Sequence, residues 1–205
     1  RTLIKNGADI NQNLLYAARR GYNKMVDFLL DENADINFLS TKNESPLSLA
    51  FQGKHLETAQ ILLNRGANPL SKNSQGQTPL MSAVYTGKVD LVKLLLYHSG
   101  ILNRTVAINS SDLLGNTPLM SSASHGYLDI AKLLLELGAD VEKRNRWKES
   151  ALMLAASKGF LEVVTLLLEY GADFRGGDVN EKTALLRAAQ NGHLSLVNKL
   201  VSHGA

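Results

Sequence analysis

Apolar residues along this chain return in blocks that open on a small polar residue and close on glycine. The block Thr78-Pro79-Leu80-Met81 recurs as Thr117-Pro118-Leu119-Met120, Ser150-Ala151-Leu152-Met153 and Thr183-Ala184-Leu185-Leu186. A weaker copy is Ser45-Pro46-Leu47-Ser48, and a degenerate one is Gln12-Asn13-Leu14-Leu15. Small residues and a short polar pair follow, then Gly21, Gly87, Gly126, Gly159 or Gly192, with Lys54 in that slot once. These positions step by 33 residues, except for a step of 39 between Gly87 and Gly126. Beyond Gly159, Leu161, Val164, Leu167 and Leu168 fall at helical spacing and mark a buried stripe. Self-similarity at this period predicts a stacked repeat array, in which neighbours complete one another's core.

Local signals support a helix pair in each block. Ser45, Thr78, Thr117, Ser150 and Thr183 stand where a helix N-cap is needed, since a hydroxyl can accept a free amide of the first turn. Pro46, Pro79 and Pro118 take the first helical position, where a missing N–H costs nothing. Ala17-Ala18, Ala155-Ala156 and Ala188-Ala189 are small enough for the first helices to pack closely. Glu57, Asp90, Asp129 and Glu162 place negative charge at the start of four of the six second helices, favourable to the helix dipole by ~0.3–1 kcal/mol each. Gly159 and Gly171 then close the first and second helices of that pair.

A second word, Gly66-Ala67-Asn68, Gly138-Ala139-Asp140 and Gly171-Ala172-Asp173, keeps fixed phase with the first, with further copies at Gly7-Ala8-Asp9 and Asn33-Ala34-Asp35. The two words together resemble the ankyrin repeat family over essentially the whole chain. The resemblance implies an all-α repeat solenoid of helix-turn-helix units with protruding β-hairpin fingers. It gives a single array over 1–205: a partial unit at 1–11, then helix pairs at about 12–32, 45–65, 78–98, 117–137, 150–170 and 183–203. Lys199, where other units carry leucine, reads either as a capping unit with a wetter outer face or as a tolerated surface charge. The chain opens inside a repeat without Met, which suggests a fragment of a larger protein.

Composition narrows the chemistry. The chain has 205 residues, 44% hydrophobic and 20% charged, within the ordinary globular range. A net charge of +3 is too small by itself to indicate nucleic acid. Without cysteine there is no disulfide, zinc-thiolate site or thiol nucleophile. No apolar run approaches a membrane span, so no membrane insertion is expected. The five histidines lack ligand spacing, and His55 and His193 read as structural. No metal, cofactor or catalytic set is expected, and Gly176-Gly177 reads as a turn. An intracellular, cytoplasmic address is expected of a cysteine-free array of this kind, so the triplets Asn103-Arg104-Thr105 and Asn109-Ser110-Ser111 are discounted as glycosylation sites.

Three departures from the pattern are candidate contact sites. The first is Lys143, Arg144, Arg146, Trp147 and Lys148, on the finger before the fifth helix pair. The chain's single Trp beside Arg has the composition of a binding hot spot, suited to an acidic or phosphorylated partner. The alternative is Trp147 folded over a neighbouring finger under stacked cations. A single strand of nucleic acid is disfavoured, because the patch is one finger wide. The second is an insertion of six residues near 101–111, giving an enlarged finger at about 101–116. Thr105, Val106 and Ile108 predict strand, and Leu113 and Leu114 are apolar where tips are polar. These leucines either meet a partner or pack on the enlarged loop. The third is the concave face, with Tyr16, Arg19, Arg20, Tyr85, His125, Lys158 and Arg187. Its mixed polarity suits a protein interface, and the alternative is solvated surface. Asn11 and Asn37 also resemble the setting in which an asparaginyl hydroxylase modifies ankyrin fingers; Asn is equally the common hairpin residue there.

The reading is a non-catalytic interaction module, a monomeric array offering finger tips and a concave face to a protein partner. Its competitor is a substrate-recruiting segment of a larger enzyme or secreted effector, with the catalytic domain elsewhere.

Overall fold

The chain is described by a computed structural model at residues 9–98 and 100–205, with the side chains of 101–104 outside the description. The partial unit expected at 1–11 lies outside the described residues up to position 8. Among the described residues the secondary structure is 13 α-helices and no strand. They fall into two compact units, one ending at Ala107 and the other running from Ile108 to Ala205.

The first unit holds three helix pairs: α1 (Ile10–Arg20) with α2 (Asn23–Asp31), α3 (Pro46–Gln52) with α4 (Leu56–Asn64), and α5 (Pro79–Tyr85) with α6 (Val89–His98). Helix α7 (Gly100–Asn109) follows. The second unit also holds three pairs: α8 (Pro118–Ser124) with α9 (Leu128–Glu136), α10 (Ala151–Lys158) with α11 (Leu161–Glu169), and α12 (Ala184–Gln190) with α13 (Leu194–Ser202). Within each unit, first helices pack side by side and second helices do the same.

The predicted caps are all made. Ser45, Thr78, Thr117, Ser150 and Thr183 each accept the backbone N–H three residues on. Helix α1 instead starts at Ile10, capped by Asp9, whose carboxylate accepts the amides of Asn11 and Gln12. Within each unit the apolar faces of the helices are sealed: Leu14, Ala18, Leu62 and Val92 in the first, and Leu134, Val164 and Leu167 in the second, have no exposed surface.

Neighbouring pairs are also pinned by histidine. The Nε2 of His55 lies 3.1 Å from the carbonyl oxygen of Arg19, and that of His193 lies 3.2 Å from the carbonyl oxygen of Ser157. The ring of His193 comes so near Gly159 that a Cβ there would meet Nδ1 at 2.6 Å, while φ is +79°. Glycine satisfies both demands at once.

The insertion differs from the strand expected for Thr105, Val106 and Ile108. All three lie in helix α7, ahead of the finger rather than within it. Burial of Ala107 and Ile108 supplies the reason, since tertiary packing overrides the β preference of short branched runs. Register returns at Asn109. Its Oδ1 accepts the Asp140 amide 31 residues on, as Asn37 accepts the Asn68 amide over the same interval.

Candidate functional site

Five finger loops repeat one geometry, opening on Ser40, Asn73, Asp112, Asn145 and Asp178. The opening side-chain oxygen accepts the amides two and four residues on, for example Trp147 and Glu149 at 3.0 Å each from Asn145. The backbone closes the same loop, the Asn145 amide donating to the Glu149 carbonyl and the Lys148 amide to the Asn145 carbonyl. Such closure requires a left-handed fourth residue, and Asn43, Gly76, Gly115, Lys148 and Glu181 all have positive φ. The second and third residues are thereby pushed outward as the tip.

Adjacent tips are hydrogen-bonded through the backbone. In the first unit the Ser74 amide donates to the Lys42 carbonyl at 2.9 Å. In the second, the Arg146 amide donates to the Leu114 carbonyl at 2.9 Å, and the Val179 amide to the Trp147 carbonyl at 3.0 Å. The side chains carried by these tips contrast sharply. The first unit presents Thr41, Lys42, Ser74 and Gln75, all polar. The second presents Leu113, Leu114, Trp147 and Val179, which are 55%, 44%, 45% and 50% exposed. Exposed Lys143, Arg146 and Lys148 accompany them.

Beneath this row the fingers are locked together. Arg144 donates from Nη1 to the carbonyls of Lys148 and Gly177, at 3.2 and 3.1 Å, and pairs through Nη2 with Asp173 at 3.3 Å. The Asn145 amide group donates to Asn116 and to Glu149. Glu149 accepts Nη2 of Arg187 at 2.7 Å, and the same nitrogen donates to Asp178. Burial pushes the Asp178 carboxyl up, but the bond from Arg187 and the amides of Lys182 and Asn180 outweigh it and hold it below the usual value. Burial likewise opposes the Arg187 charge, yet its bonds to Asp178 and Glu149 hold its pKa above the ordinary one. The result is a preorganised platform with solvent-facing tips.

A sequence profile described as ankyrin repeats matches residues 14–105, 67–145 and 139–205, nearly the whole chain. The chain belongs to the ankyrin repeat family. Ankyrin repeats are a general protein–protein interaction module, and nothing in the matched segments indicates catalysis. An ankyrin repeat and KH domain-containing protein of Caenorhabditis briggsae is 34% identical over 106 residues, covering 47% of this chain and 4% of its own length. The mask-1 protein of Caenorhabditis elegans, with the same domain description, is 35% identical over 101 residues, covering 46% of this chain and 4% of its own. An ankyrin repeat protein of fowlpox virus is 36% identical over 114 residues, covering 50% of this chain and 33% of its own. The chain thus spans a small part of these relatives.

The remaining candidates sit elsewhere on the ankyrin scaffold. In the first unit Tyr16 packs edge-on to Tyr22 and under Arg20, Arg19 pairs with Glu44 at 3.1 Å, and Tyr85 is exposed. An open apolar hollow of about 1060 Å³ lies there, lined by Tyr16, Tyr22, Met25 and Phe28. In the second unit Lys158 is exposed, while His125 stacks on Tyr127 and contacts the Ser121 carbonyl at 2.8 Å. Arg187, expected on the open concave face, lies in the Glu149–Asp178 network with its side chain 16% exposed. Arg144 is similarly engaged within the fingers. Asn11 and Asn37 act as spacers between pairs, each Oδ1 accepting an amide of the next repeat at 2.8 Å. Among the described residues no three His, Asp or Glu gather as a metal-binding group, and no helix is long and apolar enough to cross a membrane. Val179 escaped the sequence reading. Its signal was positional: it follows the loop-opening Asp178 as Arg146 follows Asn145 and Leu113 follows Asp112.

Proposed function

We propose that this chain is a non-catalytic docking module whose principal contact surface is the tip row of the second unit: Leu113, Leu114, Arg146, Trp147 and Val179. One observation carries the reading. Three consecutive hydrogen-bonded fingers expose apolar side chains at the positions that are polar in the first unit. Contiguous exposed apolar surface on a soluble scaffold marks an interaction site. Trp and Arg are over-represented among residues that dominate binding energy. Rigid fingers lose little freedom on binding, which favours affinity. Arg144, Glu149, Asp178 and Arg187 serve as the supporting layer, while Lys143 and Lys148 flank the row. Tyr16, Arg19, Arg20, Tyr85, His125 and Lys158 are secondary contact candidates.

Affinity capture from a cell lysate with the parent chain beside a Trp147→Ala/Arg146→Ala variant tests this directly. The expected result is a protein retained by the parent and lost by the variant. For the isolated pair, Trp147→Ala alone should weaken binding by about 2 kcal/mol or more. Identical captures would remove the tip row from the interface.

A further inference from the structure

We infer that the segment received by this row is acidic and extended, with carboxylates set among apolar side chains. The inference rests on the tip-row reading above and specifies the chemistry of its partner. Four exposed apolar side chains, Leu113, Leu114, Trp147 and Val179, form a line across three fingers. Lys143, Arg146 and Lys148 of the central finger are exposed, and among the described residues no acid is seen paired with any of them. The nearby acids are differently placed. Glu149 and Asp178 are committed to Arg187, Asp173 pairs with Arg144, and Asp112 holds its own loop. Glu142, exposed beside Lys143, accepts the Asp173 amide at 2.8 Å, and Glu181 is exposed at the loop position that Lys148 holds in the central finger. The central tip therefore offers positive charge at Arg146 and Lys148 beside the apolar contact of Trp147, and its complement carries negative charge interleaved with apolar groups.

Carboxylate fits better than phosphate. A phosphate site gathers several Arg forks. Here Arg144 is spent on the carbonyls of Lys148 and Gly177 and on Asp173, leaving Arg146 as the outward-facing guanidinium of the central finger. The geometry also sets a length. Packed helices stand ~8–10 Å apart, so finger tips step by about as much. An extended polyproline-type chain advances ~9 Å in three residues. Three tips are two such steps apart, so a partner segment of roughly six or seven residues joins the outer fingers.

The test is selection of a random twelve-residue peptide display library on the immobilised full chain, with each enriched peptide re-measured on Trp147→Ser and Arg146→Glu/Lys148→Glu variants. All three substituted side chains are exposed, and circular dichroism confirms that each variant is folded before it is used. The expected result is enrichment of peptides rich in Asp and Glu beside Leu, Phe or Trp. Their binding should fall at least tenfold on Trp147→Ser and at least tenfold on the charge-reversed variant. Enriched peptides lost on Trp147→Ser but without acidic bias, or indifferent to charge reversal, would overturn the partner chemistry and leave the tip row standing. Peptides that bind both variants as they bind the parent, or no enrichment at all, would overturn both.

Discussion

At the residue scale the finger tips show why some positions could be read from sequence and others not. Leu113, Leu114 and Trp147 stood out because large apolar residues interrupt polar tips. Val179 did not, because one valine in a polar stretch is unremarkable until the loop-opening Asp178 fixes its register. The fourth loop position supplies a paired prediction. Lys148 has φ +58°, a region that costs a side chain ~1–2 kcal/mol, whereas Gly115 has φ +83° in the equivalent position. A Cβ on Gly115 would also meet the Asn145 Cα at 3.0 Å. Lys148→Gly is therefore expected to be neutral or to stabilise by up to ~1 kcal/mol, and Gly115→Ala to destabilise by ~1–2 kcal/mol. Urea melts of the two variants check the opposite signs; a loss from Lys148→Gly would show that its side chain supports the loop.

At the element scale the helix caps were legible because each rests on a local rule. A hydroxyl before Pro-Leu or Ala-Leu, and glycine at a left-handed helix end, need no tertiary information. Helix α7 was not legible. Thr105, Val106 and Ile108 favour strand in isolation, and the burial of Ile108 that decides the matter is a property of the folded chain that local preference does not carry. The phasing of the second helices is testable at Leu134, which has no exposed surface in α9. Leu134→Ala should cost ~2–5 kcal/mol in a denaturant melt. A cost below ~1 kcal/mol would contradict the buried stripe.

The finger network makes a pH prediction at the same scale. The Asp178 carboxyl is held below its unfolded value of 3.8, so it binds its proton more weakly in the folded protein than in the unfolded chain. Its stabilising contribution is complete above that value and is lost as pH falls through the lower folded value. Asp178→Asn should cost ~1–3 kcal/mol at neutral pH, because two amides and a guanidinium lose a charged acceptor. The gap between parent and variant should close as the pH is lowered below about 4. Urea midpoints at pH 7 and pH 2.5 measure it, and a gap that stays constant would place the stabilising interaction elsewhere.

At the scale of the whole molecule, each unit buries a core of paired helices and holds its fingers by hydrogen bonds and ion pairs. The family and its helix pairs followed from the repeated words, because a repeat multiplies every weak local signal. The contact surface was only partly legible. Arg144 and Arg187 looked like free cations in sequence, yet partners 29 and 38 residues away engage them. Their engagement turns a basic finger into a rigid platform and leaves Arg146 and Trp147 to face outward. The central claim is that this platform is where a partner docks. Amide hydrogen exchange of the chain, with and without its captured partner, tests it most directly. Slowed exchange at 113–116, 146–149 and 179–182, with the first unit's tips at 41–44 and 74–77 unchanged, is the predicted result. Protection confined to the first unit or to the helices, with the second unit's tips exchanging as freely as before, would contradict it.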